Sequence, residues 1–395
     1  MRLLLYSWKS NSEQVLADNL IKLGFEVLWF HKECRHYTRD MELAMEMIPY
    51  IHENRIEAVI SFNYFPIISM ICDTSGIPYY SWVYDSPHFT LYAKHVMLPC
   101  NHIGIFDRKM TERLKSRGVN TVNHVPLSVD TDVFLSVIQK ASVKEKEKYR
   151  CDISFVGSLY TDEHNYYDRL FPEKTKEILN PVIQKQCFYY QKDYLREAAD
   201  RNIPDLDSLQ EELKKQGFAL GEDYFAEPED IILAKVLEKK VTVEERCQLL
   251  TEVARNFGEK YCFCLYTGSD LQDKPILEQY HKGIVDYHKQ MPLVFAESRI
   301  NLNLTLRSIH SGIPLRVLDC MACGGFVLTN RQPEIAEVFC EGEEIVTFKS
   351  LQECMDKTAY YLQHEEERAR IAAAGQKKVQ EVFSYARGFE RLFGV

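Results

Sequence analysis

Residues 1–31, MRLLLYSWKSNSEQVLADNLIKLGFEVLWFH, hold a complete strand–helix–strand unit. Leu3–Tyr6 is a short apolar run that reads as a first β-strand. Ser10, with Glu13 three residues later, has the spacing of a capping box. Val15, Leu16, Leu20, Ile21 and Leu23 then recur at helical spacing, and Gly24 supplies the stop. Val27–Phe30 is a second apolar run. A strand, a helix and a strand in this order form the repeating unit of a parallel sheet.

The alternation continues outward from this unit. Ala58–Phe62, Tyr79–Tyr84, Ile103–Phe106 and Val122–Val125 read as strands, with helices near 41–53, 66–75 and 107–117. Gly76 and Gly118 mark two helix ends. Strands buried on both faces and alternating with helices predict a doubly wound α/β sheet. After the Lys- and Glu-rich stretch Lys144–Lys148, which reads as a polar linker, Ile153–Val156 opens a second series ending in Gly157-Ser158. Residues 165–258 are more polar and read as a helical insertion. Its capping-box spacings are Ser208 with Glu211 and Thr242 with Glu245, and Gly258 closes the second of these helices. Strands resume at Tyr261–Tyr266, Ile300–Thr305, Phe326–Thr329 and Glu344–Phe348, with Gly283-Ile284-Val285 as a short one. The tail reads as helical, broken near Gly375.

The 395-residue length predicts two or three domains, and 46% hydrophobic with 27% charged residues is a folded composition. The formal net charge of −10 argues against nucleic acid or an anionic membrane as main partner. No apolar stretch approaches the roughly 20 residues that span a bilayer, and the N-terminal apolar run is too short for a signal peptide. The twelve cysteines fit a reducing, cytoplasmic setting. Cys320 and Cys323 share CxxC spacing without a second such pair, so they read as a buried helix face.

In open α/β sheets ligands lie beyond the carboxyl ends of strands. In the first half those loops carry Trp8, Asn11, Asn63, Tyr64, Asp85 and His88. No GxGxxG follows the first strand, which disfavours a dinucleotide domain. The segment richest in chemistry is Asn301–Glu337, NLNLTLRSIHSGIPLRVLDCMACGGFVLTNRQPEIAE. After its strand, Ser311-Gly312-Ile313-Pro314 leads into a helix that stops at Gly324-Gly325. Ser311 reads as the N-cap, and Pro314 suits the first turn. Such a helix start offers free N–H groups and a positive dipole end, a natural phosphate site. Arg316 adds a permanent forked charge in the first turn. Asp319, on the same side of the helix, is placed to accept ribose hydroxyls. Phosphate donors and a ribose acceptor within one turn point to a nucleotide; the competing reading is a helix–strand joint with a surface Arg–Asp pair.

The run Pro314-Leu-Arg-Val-Leu-Asp-Cys-Met-Ala-Cys-Gly-Gly-Phe-Val-Leu-Thr resembles the donor-site segment of GT-B glycosyltransferases. It is most similar to the CgeB-like (spore maturation protein) branch, with its P-x-R-x-x-E-x-x-A-C-G-G pattern. Phe155-Val-Gly-Ser is similar to the first strand–loop of the GT-B second domain. His124-Val-Pro-Leu-Ser-Val-Asp-Thr-Asp-Val-Phe is similar to the hinge that closes the first domain. Ile371-Ala-Ala-Ala-Gly, with Phe383-Ser-Tyr and Arg387, resembles the family tail. The widespread retaining pattern has Glu at two positions eight apart, where this chain has Ser311 and Asp319.

The resemblance implies two Rossmann-like domains facing a cleft. Residues 1–140 would take the acceptor and 150–380 the nucleotide sugar, with the 165–258 insertion in the second. Residues 381–395 would form a helix crossing back to the first domain. It implies transfer of a sugar from a nucleotide-diphosphate donor to a glycan, protein or small molecule, without metal or other cofactor. Asp130-Thr-Asp132 has the spacing of a metal-binding triplet but lies in the hinge. The expected donor residues are Gly157, Ser158, Gly283, Val285, Tyr287, Arg307, His310, Ser311, Gly312, Ile313, Arg316 and Asp319. Asp85, or else His88, is the expected base, and Trp8, Asn63 and Tyr64 would meet the acceptor. Arg331 and Glu334 read as a solvated turn beside Pro333. A nucleotide-sugar 2-epimerase and a non-catalytic nucleotide-sugar-binding protein are the alternatives.

Overall fold

The computed structural model describes residues 1–161, 165–190, 192–200 and 222–394. The first half forms a parallel sheet of β1 (Arg2–Ser7), β2 (Glu26–His31), β3 (Ala58–Phe62), β4 (Tyr79–Val83), β5 (Asn101–Ile105) and β6 (Val122–His124). Its order is β2-β1-β3-β4-β5-β6. The second half forms β7 (Cys151–Val156), β8 (Phe263–Tyr266), β9 (Ser298–Asn303), β10 (Val327–Asn330) and β11 (Val346–Phe348), in the order β11-β10-β9-β7-β8. Each sheet reverses its winding beside its first strand: Leu4 pairs with Leu28 on one side and Val59 on the other. In the second sheet Phe155 lies between Leu265 and Leu302. These are two Rossmann-like α/β units, and such reversals place crevices at the strands' carboxyl ends.

Burial explains the apolar runs. Leu3, Leu4 and Leu5 have no exposed surface, because helices cover both faces of a parallel sheet. The last helix, Tyr385–Phe393, packs on the first sheet, with Phe389 and Tyr385 against Trp82.

Several local expectations are corrected. Ser10 does not cap: the first helix starts at Glu13, whose buried carboxylate accepts from Ser7 Oγ (2.6 Å) and from the Trp8 and Ser10 N–H groups (both 3.0 Å). Lys144–Lys148 lies in a helix, Val143–Tyr149, opened by a true Ser142/Glu145 capping box. Thr242 sits inside the helix Glu238–Phe257 and donates to the Glu238 carbonyl. Ser208 and Glu211 lie outside the described residues. Gly283–Val285 is a loop with Ile284 exposed. The helix through Gly375 is unbroken from Glu365 to Val382, and a Cβ on Gly375 would lie 2.4 Å from the Glu344 carbonyl oxygen. This glycine permits close packing and does not stop the helix.

The helix Glu238–Phe257 is part of the second Rossmann-like unit, since Leu249, Leu250 and Val253 share a core with Ile153 and Phe155. The described segments before it form a separate cluster around Tyr167, Leu179, Ile183 and Ile232. From there the chain reaches the first unit. Phe225 N–H donates to the Tyr92 carbonyl at 2.9 Å, and Arg117 pairs with Asp230 at 2.6 Å.

Candidate active site

The helix Leu315–Ala322 follows β9 and aims its first turn at the groove between the sheets. Pro314 is its N-cap and contributes no side-chain hydrogen bond, so the first N–H groups keep no side-chain acceptor. Ser311 does not cap it. Arg316 is one-third exposed and lies 3.5 Å from Asp319, which is 1% exposed. Tyr287 donates its hydroxyl to Asp319 at 2.9 Å. Burial pushes the Asp319 carboxyl up to about 6, against the opposing pull of Arg316 and the Tyr287 hydrogen bond. Tyr287, Arg316 and Asp319 are thus brought together as one group.

Arg246 joins them from the helix Glu238–Phe257. Its guanidinium donates to the carbonyls of Ser158 and Leu304. It makes no ion pair among the described residues. Burial lowers its pKa, Tyr160 opposes this, and the charge of Arg316 pushes further down. Two neighbouring guanidinium groups, one of them buried on neutral carbonyls, form a site deficient in negative charge. Sequence reasoning passed over Arg246. Its signal was a cation on the apolar stripe of Leu249, Leu250 and Val253, without an acid three or four residues away.

Gly157 and Ser158 lie beside Arg246 at the end of β7. The Gly157 N–H is spent on the Tyr266 carbonyl at 3.0 Å, and Ser158 Oγ lies 3.1 Å from Ser269 Oγ. Val285 packs with Tyr287 in one core, and Gly283 lies in the loop before it with open space where a Cβ would sit.

Across the groove, Asp85 follows β4. Asn63, at φ +60, donates its amide to Asp85 at 2.6 Å and accepts the Tyr84 and Asp85 N–H groups at 3.0 and 3.2 Å. Asn63 therefore orients Asp85. Lys235 faces Asp85: burial lowers its pKa and the carboxylate opposes this. His88 is tied to the Tyr64 backbone at 3.1 Å, and burial lowers its pKa. Tyr64 has no exposed surface and belongs to the first unit's core, so its ring is closed to an acceptor. Trp8 is 39% exposed, its indole N–H on the Phe62 carbonyl at 3.0 Å.

The loop before the helix does other work. Arg307 is held by buried Glu245 and by the Gln186 and Tyr189 carbonyls. His310 pairs with Glu238 at 2.7 Å; burial works to lower its pKa, and the carboxylate overrides it and holds it raised. Ser311 Oγ lies 2.8 Å from Asp107 and 2.7 Å from Glu334, and Glu334 also takes His124 at 2.8 Å. Gly312 rests on Phe106, where a Cβ would lie 2.9 Å from the carbonyl oxygen. Ile313 is buried. Ser311 and Gly312 thus join the two units. Glu334 is 3% exposed and belongs to this clasp, which corrects its reading as a solvated turn; Arg331 is exposed. Cys320 and Cys323 are buried.

Among the described residues no helix is long and apolar enough to cross a membrane. A cavity of about 20 Å³ remains beside Leu315, Tyr287 and Ser128, and a larger one of about 710 Å³ lies beyond β9–β11.

Residues 245–394 match a family model described as glycosyl transferase-like. No curated protein matches the sequence. Among solved structures, the chain is similar to the sucrose-phosphate synthase of Thermosynechococcus elongatus (8% identity, TM-score 0.55, covering 99% of this chain and 97% of that one). It is similar to WaaG, a glycosyltransferase involved in lipopolysaccharide biosynthesis (8%, 0.54, 99% and 99%). It is also similar to Anabaena HepE in complex with UDP-glucose (9%, 0.53, 100% and 98%). At such identities the likeness carries the fold. The chain thus has the two-domain GT-B architecture, and the glycosyl transferase-like match falls on residues 245–394.

Proposed function

We propose that this protein is a glycosyltransferase of the CgeB-like branch that moves a sugar from a nucleoside-diphosphate donor to a hydroxyl acceptor. The carrying observation is Arg246, buried with no ion pair among the described residues, beside Arg316 and the uncapped start of the helix Leu315–Ala322. A diphosphate supplies the missing negative charge, and Asp319 supplies the acceptor for ribose hydroxyls. The cavity beside Leu315 and Tyr287 holds only about 20 Å³ and reaches neither arginine, so donor entry requires the two units to separate.

In the reaction the acceptor oxygen attacks the anomeric carbon while the bond from that carbon to the diphosphate oxygen breaks. The leaving diphosphate carries its electron pair toward Arg246, Arg316 and the helix end, which stabilise it without a metal. The acceptor proton passes to Asp85, oriented by Asn63, giving inversion at the anomeric carbon. Free cysteines suit a cytoplasmic setting.

A thermal-shift screen of nucleoside diphosphates identifies the base. With that nucleotide, Arg316→Ala is expected to lose about 1.5–3 kcal/mol of binding by calorimetry, the worth of a charge-assisted contact. Asp85→Asn is expected to spare donor binding and slow transfer about 10²–10⁴-fold. EDTA should leave turnover intact. Nucleoside diphosphate release that ignores acceptor, or unchanged affinity in Arg316→Ala, refutes this reading.

A further inference from the structure

The cavity of about 710 Å³ is lined by none of Arg246, Tyr287, Arg316 and Asp319. It lies beyond the carboxyl ends of β9, β10 and β11, closed on one side by the helix carrying Lys109 and Arg113 and on another by Gln186, Tyr190 and Leu195. Its volume falls within the usual range for small-molecule sites, roughly 300–1,000 Å³. Its walls are strongly cationic. Lys109, Arg113, Arg331 and Lys349 line it, and none of them has an ion-pair partner within 4.0 Å among the described residues. On a chain of net charge −10, the excess of these cations over the lining acids Asp193 and Glu238 is a local reversal of sign.

One wall is different. Glu238 is 4% exposed and lines the same cavity. One of its oxygens takes His310 at 2.7 Å, while the other, Oε2, is buried with no hydrogen-bond partner. A buried carboxylate oxygen left unpaired is costly, and it asks for a donor group. The phosphate of an ionised monoester has no proton to donate; a hydroxyl on the same molecule does.

We infer that this cavity is a second binding site, distinct from the donor groove, for a small hydroxyl-bearing phosphate ester of the phosphosugar class. The phosphate lies among Lys109, Arg113, Arg331 and Lys349, where a dianion gains charge-assisted hydrogen bonds. A sugar hydroxyl donates to Glu238 Oε2, which His310 holds in place. The assignment concerns binding and stands apart from the transfer reading.

The test is calorimetry on the full chain with three probes: glucose 6-phosphate, glucose and inorganic phosphate. Glucose 6-phosphate is expected to bind one per chain, inorganic phosphate at least tenfold more weakly, and glucose not measurably. The double variant Arg113→Gln/Arg331→Gln is expected to lose at least tenfold for glucose 6-phosphate. The nucleoside diphosphate found in the donor screen should neither compete with glucose 6-phosphate nor bind the variant differently. No saturable binding of glucose 6-phosphate, or equal binding by the variant, overturns the site. Equal affinity for inorganic phosphate overturns the ligand class, since the sugar hydroxyls then add nothing. Competition by the nucleotide overturns the separation from the donor groove. Each of these outcomes leaves the effects of Arg316→Ala and Asp85→Asn to be judged separately.

Discussion

A carboxyl that is 1% exposed and titrates near pH 6 is ionised at neutral pH at the expense of the fold, and Asp319 is such a group. Its folded pKa of about 6 lies above the ordinary 3.8, so the folded chain holds the proton more tightly. Stability therefore falls as pH rises from about 4 to about 6 and stays reduced above. Two pKa units correspond to about 3 kcal/mol. Asp319→Asn keeps the size and a hydrogen bond to Tyr287 and removes the buried charge. Arg316, one-third exposed, remains solvated without its partner. The variant is expected to melt at a higher temperature than the parent at pH 7.5, with the advantage disappearing toward pH 4, while nucleotide binding weakens. Paired melting curves at the two pH values check the first part, and an advantage that does not depend on pH counts against a buried ionised Asp319.

At the scale of elements, the last helix shows how a residue's sign depends on its neighbour. An interior helical Gly is ordinarily improved by Ala, by roughly 1 kcal/mol. A Cβ on Gly388 would lie 2.1 Å from the Trp82 ring and 2.5 Å from Ser128 Oγ. Trp82 is fully buried and cannot retreat. Gly388→Ala is therefore expected to destabilise by about 1–3 kcal/mol through overpacking. Urea unfolding followed by tryptophan fluorescence reads this, and a stabilised variant would show that the helix does not sit on Trp82.

For the whole molecule a buried contact between the units is the clasp of Asp107, Ser311, Glu334 and His124. It ties the end of β5 to the loop after β9 and the helix after β10. Burial works to raise the Glu334 pKa, but His124, the Arg108 N–H and Ser311 override it and hold it below the ordinary 4.5. Its contribution is present above pH 4.5 and is lost as pH falls through the lowered folded value. Glu334→Ala removes the shared carboxylate at neutral pH. The two units should then separate more readily, giving a larger radius of gyration by X-ray scattering and faster nucleotide association. An unchanged radius with unchanged association would show that other contacts hold the groove shut.

The architecture was legible because its cause is local. Apolar runs such as Leu3–Leu5, buried on both faces, alternate with amphipathic helices, and that period belongs to parallel sheets. The segment Pro314–Gly325 likewise carried its Arg–Asp spacing along a single helix. What tertiary structure decided lay in pairs far apart in the chain. From sequence Arg307 and His310 point toward a ligand, yet Glu245 and Glu238, more than sixty residues away, hold them. Ser311 has the residue type and place of an N-cap, but Asp107 and Glu334 claim its hydroxyl once the units close. Tyr64 looked like a loop aromatic until β3 and β4 buried it. A side chain's partner follows from which surfaces meet, and sequence spacing reports only neighbours on the same element.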